Sequence, residues 1–125
     1  MEIKTFNEYQ TEAVRLRISL DKILEKYPDL PEEIVKLIGV SYDGLGLGEA
    51  GEAQGKIKKI IRDNGGTIDD EAREAIKAEL GDILWYIASL SENLGISLED
   101  VAIHNIEKLI DRTTRGVRHG SGDYR

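Results

Sequence analysis

The sequence of 125 residues has no cysteine, two prolines, two histidines and no long uncharged run. Without cysteine the chain forms neither disulfides nor thiolate centres, so a zinc site would need His104, His119 and carboxylates. No stretch approaches the roughly 18 apolar residues that a membrane-spanning helix needs, and the N-terminus lacks an apolar signal core. These absences predict a soluble, cytoplasmic protein.

The chain also lacks an excess of basic residues. Its formal charge is −7, whereas a protein that binds nucleic acid through its phosphates needs a basic face. We therefore expect neither a nucleic acid nor a membrane as a partner. The length predicts a single domain over residues 1–125, with residues 116–125 as a flexible polar tail.

Apolar residues recur at helical spacing in several segments. A capping box, Thr5-x-x-Glu8, predicts a first helix that continues to Tyr27. The next segment, from Pro31 to Val40, fits either a short helix or a buried strand, and we favour the helix. Longer helices are predicted over residues 49–62, residues 69–93 and from Ser97 onward.

Glycines separate these segments. Gly44, Gly46 and Gly48 predict a flexible approach to the helix over residues 49–62, and the run Asn64-Gly65-Gly66 predicts its end. No strand-rich region is indicated. The sequence therefore predicts an all-α bundle of four to five helices.

Two acidic steps lie on neighbouring predicted helices, Glu49-x-x-Glu52 and Glu79-x-x-Asp82. Residues three apart share a helix face, so each step projects two carboxylates in one direction. One step alone is typical of a solvated helix face, but two matched steps predict an antiparallel helix pair with four carboxylates around one point. Such a group needs cations to stay ionised, and its hard oxygen ligands favour Mg²⁺, with Mn²⁺ as a substitute.

The segments around these acids, GLGEAGE at residues 46–52 and ELGDILWY at residues 79–86, resemble MazG-type nucleotide pyrophosphohydrolases. The resemblance extends to Asn105-x-x-Lys108-x-x-x-Arg112 and to the ending HGSGDYR. Members of this all-α superfamily cleave nucleoside triphosphates between the α and β phosphates with magnesium. The resemblance implies a MazG-type bundle in which Glu49, Glu52, Glu79 and Asp82 are metal ligands.

Further roles follow from placing a nucleotide at such a site. We predict that Glu49 or Glu52 activates the attacking water, because this step lies at a junction between a loop and a helix. Tyr86 shares a stripe with Asp82 and is the candidate for stacking on the base, while Trp85 is predicted at a subunit interface. The candidates for phosphate binding are cationic or polar: Lys56, Asn105, Lys108, Arg112, Arg118 and Arg125.

Asn105, Lys108 and Arg112 lie opposite the apolar residues of the last helix, Ile103, Ile106 and Ile110. Such long amphipathic helices exceed what one small core covers, which predicts a homodimer or a dimer of dimers. Two other functions stay open, a phosphoribosyl-ATP pyrophosphohydrolase and a non-enzymatic acidic module that binds a partner helix. The sequence does not indicate the base or the sugar of the substrate.

Overall fold

A computed structural model describes residues 1–17 and 19–116, and this part of the chain consists of helices without strands. The predicted all-α class is therefore confirmed. Six helices are present where four to five were predicted: α1 (Phe6–Arg15), α2 (Ser19–Lys26), α3 (Glu32–Gly46), α4 (Glu49–Asp63), α5 (Asp70–Asn93) and α6 (Leu98–Thr114).

The predicted first helix is divided into α1 and α2. The capping box is present, since the Glu8 amide donates to Thr5 Oγ1 at 3.1 Å and the Thr5 amide donates to Glu8 Oε2 at 3.1 Å. However, α1 ends at Arg15 instead of continuing to Tyr27. Just beyond the break, Arg17 donates to Asn93 Oδ1 on α5 at 2.9 Å. Arg17 and Asn93 lie far apart in the sequence, so the spacing of apolar residues could not indicate this contact.

Residues 32–46 form helix α3, so the preference for helix over strand was right. The expectation of a flexible glycine segment was wrong, because Gly44 and Gly46 lie inside α3. Only Leu47 and Gly48 interrupt the path into α4, and both keep right-handed helical angles. The local bonds there are short-range, with the Gly48 amide donating to the Leu45 carbonyl at 3.0 Å. Glu49 therefore begins α4 directly after a tight turn.

Helix α5 is the central element and packs against α1, α3, α4 and α6. The loop between α4 and α5 turns through Gly65 and Gly66, which have positive φ angles of 58° and 82°. These are the left-handed positions predicted for the end of α4. Beyond the loop α5 runs back along α4, so the predicted antiparallel pair is present. Helix α3 continues along the same side, with Gly46 against Tyr86 and Gly39 against Asn93.

The buried core is small and lies where α1, α5 and α6 meet. Ala13, Ala88 and Leu98 are its buried apolar residues, and Trp85 packs against them. The Trp85 indole donates to the Ala13 carbonyl at 3.2 Å. The Trp85 ring is half-buried and packs against α1, and its predicted place at a subunit interface stays a prediction.

The start of α6 is fixed as predicted, with the Asp100 amide donating to Ser97 Oγ at 3.3 Å. The orientation of α6 is less expected. Its apolar residues Ile103, Ile106 and Ile110 are 53%, 56% and 60% exposed, whereas Arg112 on the other face is buried at 7%. A single copy of the chain thus leaves this apolar stripe in solvent.

Among the described residues, none of the helices has the length and apolar character needed to cross a membrane.

The contact between Gly46 and Tyr86 predicts a large difference between two glycine substitutions in α3. A Cβ at Gly46 would overlap the Tyr86 ring, whereas a Cβ at Gly44 meets nothing within 4 Å. We expect Gly46→Ala to lower the free energy of unfolding by about 1–3 kcal/mol through overpacking. The matched control, Gly44→Ala, should change stability little or raise it by up to about 1 kcal/mol. Urea unfolding of the two variants tests this, and equal stabilities would contradict the contact.

Candidate active site

Three of the four predicted acids converge between α4 and α5. Glu49, Glu79 and Asp82 each offer a carboxylate oxygen, and these three oxygens lie within 4.8 Å of one another. We call this group the acidic trio. Glu49 and Glu79 are half-buried and Asp82 is exposed. Glu52 is exposed one turn along α4 and is not part of the group.

Helix dipoles do not account for the trio. Glu49 lies in the first turn of α4, where a carboxylate is favourable without any ligand. Glu79 and Asp82 lie in the middle of the 24-residue α5, well away from its N-terminus. At an effective dielectric constant of about 20, two carboxylates at this separation repel each other by roughly 3 kcal/mol. The trio therefore suits a hard divalent cation, which takes oxygen ligands.

One positive charge already reaches the trio. Lys56 Nζ lies 3.2 Å from Glu79 Oε1, and the two side chains are 39% and 16% exposed. Lys56 follows Glu49 by two turns of α4, so its side chain faces α5 on the same side. The predicted phosphate-binding lysine is thus paired with a predicted metal ligand. The sequence did not indicate this contact.

Tyr86 borders the trio on the side of α3. Burial is the main cause that raises its pKa above the usual value, followed by hydrogen bonding to Tyr42 and by the charges of Tyr42, Glu49 and Asp43. Its ring lies against Gly46 and meets the Trp85 ring edge-on at 5.0 Å. One part of the ring is therefore already packed, which leaves less of it for a nucleobase than the sequence suggested.

Tyr9 reaches the same region from α1. Its pKa is raised first by burial and then by the negative charge of Asp82. The phenol therefore stays protonated at neutral pH and can donate a hydrogen bond. The sequence indicated no role for Tyr9, because its contact with this region depends on how α1 packs on α5.

A buried polar network lies behind the turn that precedes Glu49. Asp43 is 2% exposed, and Asn93 donates to its Oδ2 at 2.6 Å while also accepting from Arg17. These three residues help to line a small, partly open cavity of about 20 Å³, which is enough for one water molecule. The carbonyl of Asp43 accepts from the Leu47 amide at 3.2 Å. The network thus joins α1, α3 and α5 at the base of the site, and no sequence pattern indicated it.

The predicted phosphate-binding residues of α6 do not lie on the pair of helices that carries the acidic trio. Asn105 is exposed, Lys108 is half-buried and Arg112 is buried. Helix α6 packs on α1 and α5, whereas the trio lies between α4 and α5. Helix α5 is therefore the element that the two groups share. Arg118 and Arg125 lie outside the described residues.

The comparisons with known proteins agree with this geometry. The model of the MazG nucleotide pyrophosphohydrolase domain matches residues 45–117, a segment that contains the trio, Glu52 and the polar residues of α6. A protein of Mycobacterium phage L5, named "Gene 37 protein", is 50% identical over 88 residues, which are 70% of this chain and 77% of that protein. No solved structure matches the chain. Because the domain match covers more than half of its residues, this chain belongs to the MazG nucleotide pyrophosphohydrolase family.

Proposed function

We propose that the protein hydrolyses ribo- or deoxynucleoside triphosphates to a nucleoside monophosphate and pyrophosphate. Water attacks at the linkage between the α and β phosphates, and Mg²⁺ is the cofactor, with Mn²⁺ as a substitute. The observation that carries this proposal is the acidic trio, which lies between two antiparallel helices within the segment that matches the MazG domain.

Glu49, Glu79 and Asp82 are the residues proposed to hold the cation. Their oxygens already lie within 4.8 Å of one another, so little rearrangement is needed to bring them onto one ion. When bound, a divalent cation would neutralise phosphate oxygens and lower the pKa of a nearby water. The turn at Gly48 places Glu49 at the start of its helix, opposite the two acids of α5.

Glu52 is the carboxylate that we propose as the general base. It lies one helical turn beyond Glu49 on the same face, and it stays outside the trio. A carboxylate that is not committed to the cation is free to accept the proton of the attacking water. A role of Glu52 as a fourth ligand, or of Glu49 as the base, would be the alternative within the same acidic step.

The substrate phosphates need positive charge beyond the cofactor, because a triphosphate carries several negative charges. We assign this role to Lys56 on α4 and to Lys108 and Arg112 on α6, and we assign the neutral amide of Asn105 to hydrogen bonding with the phosphates. Tyr86 and Tyr9 flank the trio, and their raised pKa values keep both hydroxyls protonated as donors to the nucleotide. Arg118 and Arg125 remain candidates from the sequence.

Two copies of the chain are proposed to associate through the apolar stripe of α6. Ile103, Ile106 and Ile110 are each more than half exposed in one copy. Groups of large apolar side chains at helical spacing are typical of surfaces that pack against another helix. A homodimer, or a dimer of dimers, would cover this stripe.

Product analysis tests the reaction. Purified protein with Mg²⁺ and a panel of ribo- and deoxynucleoside triphosphates should yield monophosphate and pyrophosphate. Glu79→Gln should lower kcat by at least about 100-fold, since it removes one ligand of the proposed cation. Glu74→Gln is the matched control on α5, because Glu74 is exposed and forms an ion pair with Lys77 on the same helix, and it should retain turnover.

Other products would contradict the proposal. Diphosphate with phosphate would mean that another bond is cleaved. No turnover on the panel would direct attention to phosphoribosyl-ATP, and no turnover on that substrate either would favour the non-enzymatic interaction module.

The role of Glu52 has a separate test. Glu52→Gln should lower kcat by about 100-fold or more, because a general base contributes about 10²–10⁴ in rate. Its affinity for Mn²⁺, measured by calorimetry, should stay within about threefold of the original protein, because Glu52 is assigned no ligand role. A large loss of Mn²⁺ affinity would make Glu52 a ligand, and full turnover would remove it from the mechanism.

Association through α6 predicts the effect of a charge in the apolar stripe. Ile106→Glu should convert the oligomer to a monomer, because it would bury an unpaired carboxylate at the interface. Lys77→Gln changes the net charge by the same amount on an exposed face of α5 and should leave the oligomer intact. Sedimentation velocity distinguishes the species. An unchanged sedimentation coefficient for Ile106→Glu would exclude this face as the interface.

A further inference from the structure

The ion pair between Lys56 and Glu79 does more than join two helices. Several surface pairs of this protein stay within one helix, as Arg15 does with Glu12 and Lys77 with Glu74. Lys56 instead reaches from α4 to α5 and meets the most enclosed side of the trio. Its ammonium lies where positive charge is needed most, next to three mutually repelling carboxylates.

The partial burial of this pair makes its effect substantial. The Glu79 side chain is 16% exposed, so the pair is screened by water less than a surface pair would be. A divalent cation that takes Glu79 as a ligand meets the ammonium of Lys56 on the same carboxylate, 3.2 Å from Oε1. Two cations on one carboxylate repel each other, so the ammonium has to move before the cation can bind Glu79 with full affinity.

We propose that Lys56 acts as a built-in counter-cation, which holds Glu79 in position without a divalent ion and is displaced when the ion binds together with the nucleotide. This inference rests on the proposed function of the trio as the cation site. Lys56 then lowers the affinity for the free cation. The displaced ammonium finds a new partner only when a triphosphate is present, so the site favours the complex of cation and nucleotide over the free ion.

Removal of Lys56 tests the inference directly. Lys56→Met keeps the apolar stem of the side chain and deletes only the charge. In the absence of nucleotide, its dissociation constant for Mn²⁺ should fall by about three- to tenfold, as expected for loss of a partly buried competing charge. Isothermal calorimetry, or the paramagnetic resonance signal of free Mn²⁺, measures this without any turnover.

Lys58→Met is the matched control. Lys58 lies two residues further along α4, is exposed, and is turned away from the trio by the helical period. This variant changes the net charge equally, so its Mn²⁺ affinity should stay within about twofold of the original protein. If both variants bind Mn²⁺ more tightly by the same factor, the inference is overturned, because the change in net charge would then explain the result.

A double variant separates the specific contact from loss of folding. If Lys56 acts through Glu79, then Lys56→Met should not tighten Mn²⁺ binding in a Glu79→Gln background. Tightening of the same size in that background would overturn the proposed contact. Far-UV circular dichroism and the thermal midpoint of each variant establish that it is folded. A folded Lys56→Met that binds Mn²⁺ no more tightly than the original protein would also overturn the inference.

The nucleotide supplies the second half of the test. With Mg²⁺ and triphosphate, Lys56→Met should raise KM by more than Lys58→Met does, since the released ammonium no longer meets the phosphates. The proposed reaction and the role of Lys56 can fail separately. If no nucleotide is hydrolysed while Lys56→Met still binds Mn²⁺ more tightly, the proposed role of Lys56 is supported and the proposed function is wrong. If hydrolysis occurs without tighter Mn²⁺ binding, the counter-cation fails alone.

Discussion

Repulsion among three carboxylates is the constraint on which the rest of this structure depends. Glu49, Glu79 and Asp82 converge between α4 and α5 with oxygens within 4.8 Å of one another. A protein pays for such a cluster in stability unless positive charge accompanies it. Here Lys56, a residue of the same chain, supplies part of that positive charge. The family to which the chain belongs is named for the hydrolysis of nucleotides. Under the proposed function, a divalent cation and an anionic nucleotide complete this site.

Contacts among α3, α4 and α5 position this cluster. Helices α3 and α4 together run along α5, and the short turn at Leu47 and Gly48 fixes where α4 begins. Gly46 lets the Tyr86 ring approach the backbone, and the buried Asp43 joins α3 to α5 through Asn93. These contacts position Glu49 without using any residue of the trio for packing.

The single chain has a thin core for its size. Three small or medium apolar residues, Ala13, Ala88 and Leu98, form its buried centre, while the apolar stripe of α6 faces solvent. Arg112 takes the buried place on that helix instead. The pattern of apolar and polar residues alone would have predicted that these isoleucines are buried, because it assumes that they pack against other parts of the same chain. The proposed association of copies through α6 would cover this stripe.

By itself the sequence determined the helical class, the ends of most helices and the spacing of the acids, since periodicity, capping residues and glycines are local signals. It indicated Glu49, Glu79 and Asp82 together, because two matched steps on antiparallel helices meet for geometric reasons. Only the tertiary structure decided the break after Arg15, the extension of α3 through Gly46, the packing of Trp85 against α1, the exclusion of Glu52 from the trio and the pairing of Lys56 with Glu79. Each of these depends on contacts between residues far apart in the chain, whose distances no local pattern encodes.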